Sequence, residues 1–130
     1  MVGIVLVSHS VKIVEGTIEL CQQMAQSEIK LINAGGTADG RIGTDTTKIM
    51  SAIEDANTGD GVVLIADIGS SVMSTQMALE FLDEEIREKI ILADTPFVEG
   101  SIAAVVEASL GHDLKKVVKA AEQAKNYSKK

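Results

Sequence analysis

The sequence predicts an α/β fold: a doubly wound, mainly parallel four-stranded sheet with helices on both faces. Three continuous runs of aliphatic and β-branched residues are typical of strands that are buried on both sides of such a sheet, and a shorter candidate, "EIKLIN", completes four. Segments with helical spacing separate these runs, so the predicted order is β-α-β-α-β-α-β-α-α. Hydrophobic residues make up 45% of the chain and aromatic residues 2%, so we expect an aliphatic core between helices and sheet.

The four predicted strands cover residues 2–7, 28–33, 61–67 and 89–94. A small sheet of this kind usually has the order 2-1-3-4, which is an inference from fold rules because periodicity does not display strand order. We therefore expect the first and third strands to be neighbours in the centre of the sheet.

Five helices are predicted from apolar residues that recur every three or four positions. Thr44 or Asp45 is a suitable N-cap for the second helix, and Pro96 precedes the fourth. The five methionines lie mostly on the predicted inward faces, where we expect them to fill irregular gaps in the core. The predicted inward faces, in chain order, are Val11, Val14, Ile18, Cys21 and Ala25; Ile49, Ala52, Ile53 and Ala56; Met73, Met77, Phe81 and Leu82; Ile102, Val105, Val106 and Ser109; and Leu114, Val117, Val118, Ala121 and Ala124.

Length and charge limit the class of protein. A chain of 130 residues fits one domain, residues 1–130, and its 12 basic and 19 acidic residues give a formal charge of −7. This charge disfavours nucleic acid as a partner, because phosphate backbones are bound by clustered Lys and Arg. The single Cys21 has no partner for an internal disulfide, and no apolar run approaches the roughly 20 residues that cross a bilayer. We expect a soluble cytoplasmic protein that does not bind membranes.

The loops after the first and third strands carry the strongest candidates for chemistry. His9 follows the first strand, and Asp67 follows the third. Ligands bind at the carboxyl ends of parallel strands where the strand order reverses, so the two side chains are expected to face each other. A neutral imidazole attacks phosphorus well when a carboxylate holds the N–H of its other nitrogen. In the alternative interpretation, His9 is only a polar strand end and Asp67 is a helix N-cap.

Several known motifs are absent or incomplete. The glycine-rich loop from residue 33 to 45 only approximates a dinucleotide fingerprint, and it lies after the wrong strand. The chain contains no nucleotide-binding P-loop and no serine-hydrolase elbow. Two histidines and one cysteine are too few for a transition-metal site, and His112 is expected to lie between a Gly-terminated helix and the Asp113 cap of the next.

Three segments together resemble a known family. "GIVLVSHS", "NAGGTADGRIGTD" and "ADIGSSVMS", in this order and spread over nearly the whole chain, are similar to the phosphotransfer subunit of bacterial dihydroxyacetone kinase. The domain of that subunit is similar to the mannose-family IIA domain of the sugar phosphotransferase system. In mannose-family domains glycine usually follows the histidine, whereas Ser10 follows it here, which favours the dihydroxyacetone branch.

The resemblance implies a phosphohistidine carrier. His9 would accept a phosphoryl group from the carrier protein HPr and pass it to ADP on the nucleotide-binding subunit of the kinase, which works with a dihydroxyacetone-binding subunit. It further implies Asp67 as the residue that orients the imidazole, a homodimer, and no cofactor or metal of its own. Since the chain stops at Lys130, we expect the donor to be a separate protein. Around the phosphoryl group we expect Ser8, Ser10, Gly35, Gly36, Thr44, Ser70 and Ser71.

Two other functions remain open at this point. A IIA domain that serves a mannose-family sugar permease would use the same chemistry in another pathway. A small-molecule binding or regulatory module would use the glycine-rich loop, with His9 as a hydrogen-bonding group and no covalent intermediate.

Overall fold

Four strands and six α-helices alternate along the chain in the computed structural model, which describes residues 1–130. The order confirms the predicted alternation and adds one short helix, α4, that the periodicity did not indicate. The elements are β1 (Gly3–Val7), α1 (Val11–Met24), β2 (Leu31–Asn33), α2 (Thr46–Ala56), β3 (Val62–Ala66), α3 (Ser70–Glu80), α4 (Glu84–Arg87), β4 (Ile90–Leu92), α5 (Phe97–Ser109) and α6 (Leu114–Gln123), followed by a 3₁₀ turn at Ala124–Asn126.

The strands form one parallel sheet in the order β2-β1-β3-β4, as predicted. All five residues of β1 and all five of β3 are buried, because helices cover both faces of these central strands. The two strands pair in register up to Val7 and Ala66. The chain segments that follow these residues therefore leave the sheet side by side, which decides where the site forms.

The core has two layers, one on each face of the sheet. Alternate residues of β1 and β3 point to opposite faces, as the period of two in a strand requires. One layer packs Ile4, Leu6, Val63 and Ile65 against α1, α5 and α6, and it contains Cys21 as predicted. The other packs Val5, Val7, Val62 and Leu64 against α2 and α3.

The predicted inward face of the third helix was wrong for three of its four residues, whereas Leu82 packs against the core. Met73, Met77 and Phe81 are 68%, 51% and 65% exposed, and the buried residues of α3 are Ser71, Thr75 and Ala78. Short side chains allow the helix to lie close to the sheet, and the Thr75 hydroxyl donates to the Ser71 carbonyl oxygen (2.7 Å), so its burial leaves no unpaired group.

The prediction that methionines fill the core was also wrong. Of the five methionines, Met1, Met24, Met73 and Met77 are about half exposed or more. None of the helices combines the length and the apolar character that crossing a bilayer requires.

Candidate active site

His9 and Asp67 meet at the carboxyl ends of β1 and β3. The backbone N–H of Asp67 donates to the Val7 carbonyl oxygen (3.0 Å) and extends the strand pairing by one step. The Asp67 carboxylate in turn accepts the His9 backbone N–H at Oδ2 (3.1 Å) and lies 3.1 Å from His9 Nδ1 at Oδ1. The structure thus brings together the two residues that were predicted to face each other.

A set of donors holds the Asp67 carboxylate in its charged form. Burial disfavours that charge, but hydrogen bonds from the Ile68 N–H, the Ser8 hydroxyl and the His9 N–H, together with the polar Ser71 side chain nearby, outweigh burial and lower the pKa of Asp67 to about 2. The Ser8 hydroxyl donates to Oδ2 (2.8 Å), and the Ile68 N–H donates to Oδ1 (2.7 Å). At neutral pH the carboxylate therefore only accepts hydrogen bonds.

Asp67 is not the cap of the following helix. The N-cap of α3 is Gly69, which makes no side-chain hydrogen bond, and the Asp67 side chain bonds to residues 8, 9 and 68 instead. The alternative interpretation of Asp67 as a helix cap was wrong.

The Asp67 carboxylate determines which nitrogen of His9 carries the proton. Because a carboxylate accepts, His9 Nδ1 is the donor in this pair, and Nε2 keeps its lone pair. The Ser70 hydroxyl lies 2.7 Å from Nε2 and donates to it. The His9 side chain is 28% exposed, so a reactant from outside can reach Nε2.

Two helices begin beside the imidazole. The first, α1, starts two residues after His9, and its N-cap Ser10 accepts the Ile13 N–H at Oγ (3.3 Å). The second, α3, starts at Ser70 behind Gly69, which has φ 47° and no capping side chain. The positive dipole end at each helix start favours a phosphoryl group near Nε2. In α3 the N–H groups of Ser71 and Val72 already donate to the carbonyl oxygens of Ile68 and Gly69 (both 3.1 Å).

The glycine-rich loop holds the backbone of the histidine segment. The Gly36 N–H donates to the Ser8 carbonyl oxygen, and the Gly43 N–H donates to the His9 carbonyl oxygen, both at 2.9 Å. Gly36 has φ 71°, and a Cβ there would lie 2.6 Å from Val11 Cγ2. A side chain at this position would separate the loop from the start of α1, so glycine is required.

Sequence reasoning missed Lys48, which fastens this loop. Its Nζ donates to the carbonyl oxygens of Gly35 (2.6 Å) and Thr37 (3.4 Å). Lys48 lies one turn before the buried Ala52 on α2. Because residues four apart share a helix face, this spacing could have indicated that Lys48 is directed inward, toward the loop.

The residues predicted around the phosphoryl group have different surroundings. Ser70 is the one whose side chain contacts the His9 ring. Ser8 and Ser71 are buried; the Ser71 hydroxyl donates to the Ile68 carbonyl oxygen (2.9 Å). The Gly35 N–H donates to Asn33 Oδ1 (2.8 Å), and the Thr44 hydroxyl lies 2.7 Å from that of Ser74.

The remaining polar features lie elsewhere. His112 bonds to Glu107 next to Gly111, and Asp113 caps α6 by accepting the Lys116 N–H (3.0 Å), in the local arrangement that was predicted. A groove of about 980 Å³ lies at the amino end of β2 beside Met1 and brings together no catalytic pair.

Comparison with models of protein families matches residues 3–118 to EIIA-man, described as the PTS system fructose IIA component. The chain belongs to this family. The crystal structure of the protein EF1359, of unknown function, has the same fold, with a TM-score of 0.86 and 35% sequence identity to this chain. The superposition covers 100% of this chain and 98% of EF1359.

Curated relatives of this EIIA-man chain are phosphoryl donor subunits. The PEP-dependent dihydroxyacetone kinase 2, phosphoryl donor subunit DhaM of Listeria innocua is 42% identical over 83% of the chain and 86% of that protein. The DhaM subunits of Escherichia coli and Klebsiella michiganensis are 44% and 42% identical over 91% and 95% of the chain. The chain spans 26% and 27% of these two longer proteins.

Proposed function

We propose that residues 1–130 act as one phosphotransfer domain that carries a phosphoryl group on His9. The group would come from the phosphohistidine of HPr and pass to ADP on the nucleotide-binding subunit of dihydroxyacetone kinase. The observation that carries the proposal is the His9 ring itself: Nδ1 lies 3.1 Å from Asp67 Oδ1, and Nε2 lies 2.7 Å from the hydroxyl of the exposed Ser70. The names of the relatives support the kinase as the destination.

The transfer is an exchange of one N–P bond for another. The lone pair of His9 Nε2 attacks phosphorus while the bond to the donor imidazole nitrogen breaks and returns its electron pair to that ring. The proton on Nδ1 stays in its hydrogen bond, and the Asp67 carboxylate offsets the positive charge that the imidazole gains. Both bonds are of similar energy, so the protein contributes mainly through positioning.

The phosphoryl oxygens would meet donors that the free site already orients. The Ser70 hydroxyl, which now donates to Nε2, is placed to donate to a phosphoryl oxygen once phosphorus occupies that nitrogen. The positive ends of the α1 and α3 helix dipoles lie at the same edge of the sheet. Two other predicted residues support this arrangement indirectly: Ser8 through its hydrogen bond to Asp67, and Gly36 through the histidine segment.

The test is covalent labelling. Incubation with phosphoenolpyruvate, enzyme I and HPr is expected to add one acid-labile phosphoryl group per chain, and His9→Ala is expected to stay unlabelled. His112→Ala is the matched control because the chain has two histidines, and it is expected to be labelled like the wild type. Equal labelling of the His9→Ala protein would contradict the proposal.

The pathway and the assembly are separate parts of the proposal. We expect the phosphorylated protein to associate with the soluble nucleotide-binding kinase subunit and not with a membrane permease component, and a pull-down that offers both distinguishes the two. We also propose that the protein is cytoplasmic and forms a homodimer. Light scattering in solution tests the homodimer by measuring the molar mass.

A further inference from the structure

Ser70, His9 and Asp67 form a chain of hydrogen bonds that begins at a hydroxyl. The Ser70 hydroxyl donates to His9 Nε2 (2.7 Å), and His9 Nδ1 donates to Asp67 Oδ1 (3.1 Å). A hydroxyl, an imidazole and a carboxylate in this order form the arrangement that activates a serine for attack on a carbonyl carbon. The phosphotransfer proposed above uses the same hydroxyl only as a hydrogen-bond donor.

The position of Ser70 in the fold is also that of a serine nucleophile. In α/β hydrolases the nucleophile lies at a sharp turn between a strand and a helix. Here β3 ends at Ala66 and α3 begins at Ser70, and Gly69 between them has φ 47°, a conformation that favours glycine. Motifs did not indicate this turn, because the segment reads DIGSS and lacks the pattern G-x-S-x-G. Ser70 is exposed, so a reactant can approach it from outside.

The same turn carries backbone donors for a developing negative charge. The N–H groups of Gly69 and Ser70 donate to no other group of the chain, whereas the Ser71 N–H donates to the Ile68 carbonyl oxygen (3.1 Å). In serine proteases the N–H of the nucleophilic residue itself is one of the two oxyanion donors. Both unbonded N–H groups lie at the start of α3, where the positive end of the helix dipole also stabilises an oxyanion.

We propose that Ser70 is a nucleophile and that this site transfers acyl groups from small carboxylic esters. His9 is the general base, and Asp67 keeps the lone pair of the imidazole on Nε2. The surroundings of Ser70 favour a short aliphatic acyl group, because its neighbours Ile68 and Met73 are apolar and are 72% and 68% exposed. The inference goes beyond the proposed phosphotransfer and does not depend on it.

The acyl transfer needs no reactant besides the ester and water. The Ser70 oxygen attacks the carbonyl carbon while its proton passes to His9 Nε2, and the carbonyl oxygen becomes the oxyanion. When the carbonyl forms again, the bond to the alcohol oxygen breaks, and the alcohol leaves with the proton from Nε2. Water then attacks the acyl group on Ser70; Nε2 takes a proton from that water and returns it to the Ser70 oxygen as the carboxylic acid leaves.

Acyl transfer and phosphoryl transfer compete for one lone pair. A phosphoryl group on His9 Nε2 removes the general base, so the phosphorylated protein is expected to be inactive toward esters. The two activities therefore exclude each other at this site.

Labelling of the intact chain with a fluorophosphonate, followed by peptide mass spectrometry, tests the proposal. We expect one adduct per chain, on Ser70, and no adduct in Ser70→Ala. General-base catalysis contributes about 10²–10⁴-fold, so the rate of labelling is expected to fall at least about 10²-fold in His9→Ala. With p-nitrophenyl acetate the wild type is expected to release a burst of about one nitrophenolate per chain, the sign of an acyl-enzyme.

Ser51→Ala is the matched control, since Ser51 is exposed on α2 and bonds to no histidine. Its labelling rate is expected to equal that of the wild type, with circular dichroism and melting temperature checking the fold of each variant. A wild-type adduct on His9 or on a serine other than Ser70 overturns the proposal, and this result does not depend on the folding of any variant. Labelling of His9→Ala at the wild-type rate also overturns it. A protein that HPr phosphorylates but the fluorophosphonate leaves unlabelled refutes the acyl transfer alone, and the proposed function then stands.

Discussion

Replacement of Asp67 by asparagine changes the hydrogen bond that orients the imidazole of His9 and leaves the size and packing of the side chain nearly unchanged. The carboxylate accepts hydrogen bonds from Ser8, the His9 N–H, His9 Nδ1 and the Ile68 N–H. An amide of the same shape offers one oxygen and one NH₂ group, so half of these donors then face another donor. If the NH₂ group faces Nδ1, the imidazole moves its proton to Nε2, and the nucleophilic lone pair is lost.

The magnitude follows from two contributions. For the chemistry, a His–Asp pair whose carboxylate is replaced by an amide loses up to about 10⁴-fold in rate through the wrong tautomer, so we expect a loss of about 10²–10⁴-fold here. For stability, a carboxyl pKa lowered from 3.8 to about 2 corresponds to about 1–2 kcal/mol after allowance for solvent screening. For a chain of 130 residues this lowers Tm by roughly 4–7 °C.

The pH dependence has a defined sign. Because the pKa of Asp67 is lower in the folded state, its contribution to stability is complete above pH 3.8 and is lost as the pH falls toward 2. The Asp67→Asn protein lacks this contribution, so the free-energy difference between the two proteins should shrink over that interval. Denaturant unfolding at several pH values between 2 and 5 measures it.

Rapid-quench transfer from phosphorylated HPr measures the rate for Asp67→Asn, and nitrogen-15 NMR of the imidazole identifies its tautomer. We expect a proton on Nε2 together with slow transfer. A transfer rate within threefold of the wild type, or a retained Nδ1–H tautomer with slow transfer, would refute the role given to Asp67.

Three further predictions concern single side chains. Ser70→Ala is expected to slow transfer to His9 by roughly 10–10²-fold, since the donor for a phosphoryl oxygen is lost. A rapid-quench experiment measures this rate. Faster transfer than in the wild type would show that the hydroxyl only shields Nε2. Lys48→Met is expected to slow transfer about tenfold, because the loop carbonyls lose their donor, and Lys48→Arg is expected to recover part of the rate. The control is Lys89→Met, which loses a lysine contact to the Gly59 carbonyl (3.2 Å) far from the site. This control should transfer at the wild-type rate. Cys21 is fully buried, and burial raises the pKa of its thiol to about 11, so alkylation at pH 8 should proceed only as fast as the protein unfolds; immediate reaction in the folded protein would contradict this burial.

The sheet and the central pair of the site were predictable from local patterns. Runs such as residues 2–7 and 61–67 indicate strands buried on both faces, and parallel strands of a small sheet leave few possible orders. The order places the ends of β1 and β3 together, which is why His9 and Asp67 could be paired from sequence. The edge strands are shorter than predicted, at 31–33 and 90–92, and each pairs with one neighbour over three residues.

The contacts of the glycine-rich loop were not predictable in the same way. A glycine count indicates freedom of the backbone but not which carbonyl oxygen each N–H will find. Gly36 and Gly43 bond to the backbone of Ser8 and His9, so they support the histidine instead of facing its ligand. Lys48 closes the loop from a helix that is distant in sequence from His9, and only the fold brings the two regions together.

Helix α3 shows why a burial rule that is based on side-chain size can fail. Hydrophobic periodicity assumes that the larger apolar residues face the core, and in α3 this assumption selects Met73 and Met77. The helix instead buries Ser71 and Thr75, whose hydroxyls bond to carbonyl oxygens within the same segment and cost little when buried. The long apolar side chains are thereby left on the outside of the element that also holds Ser70 against Nε2.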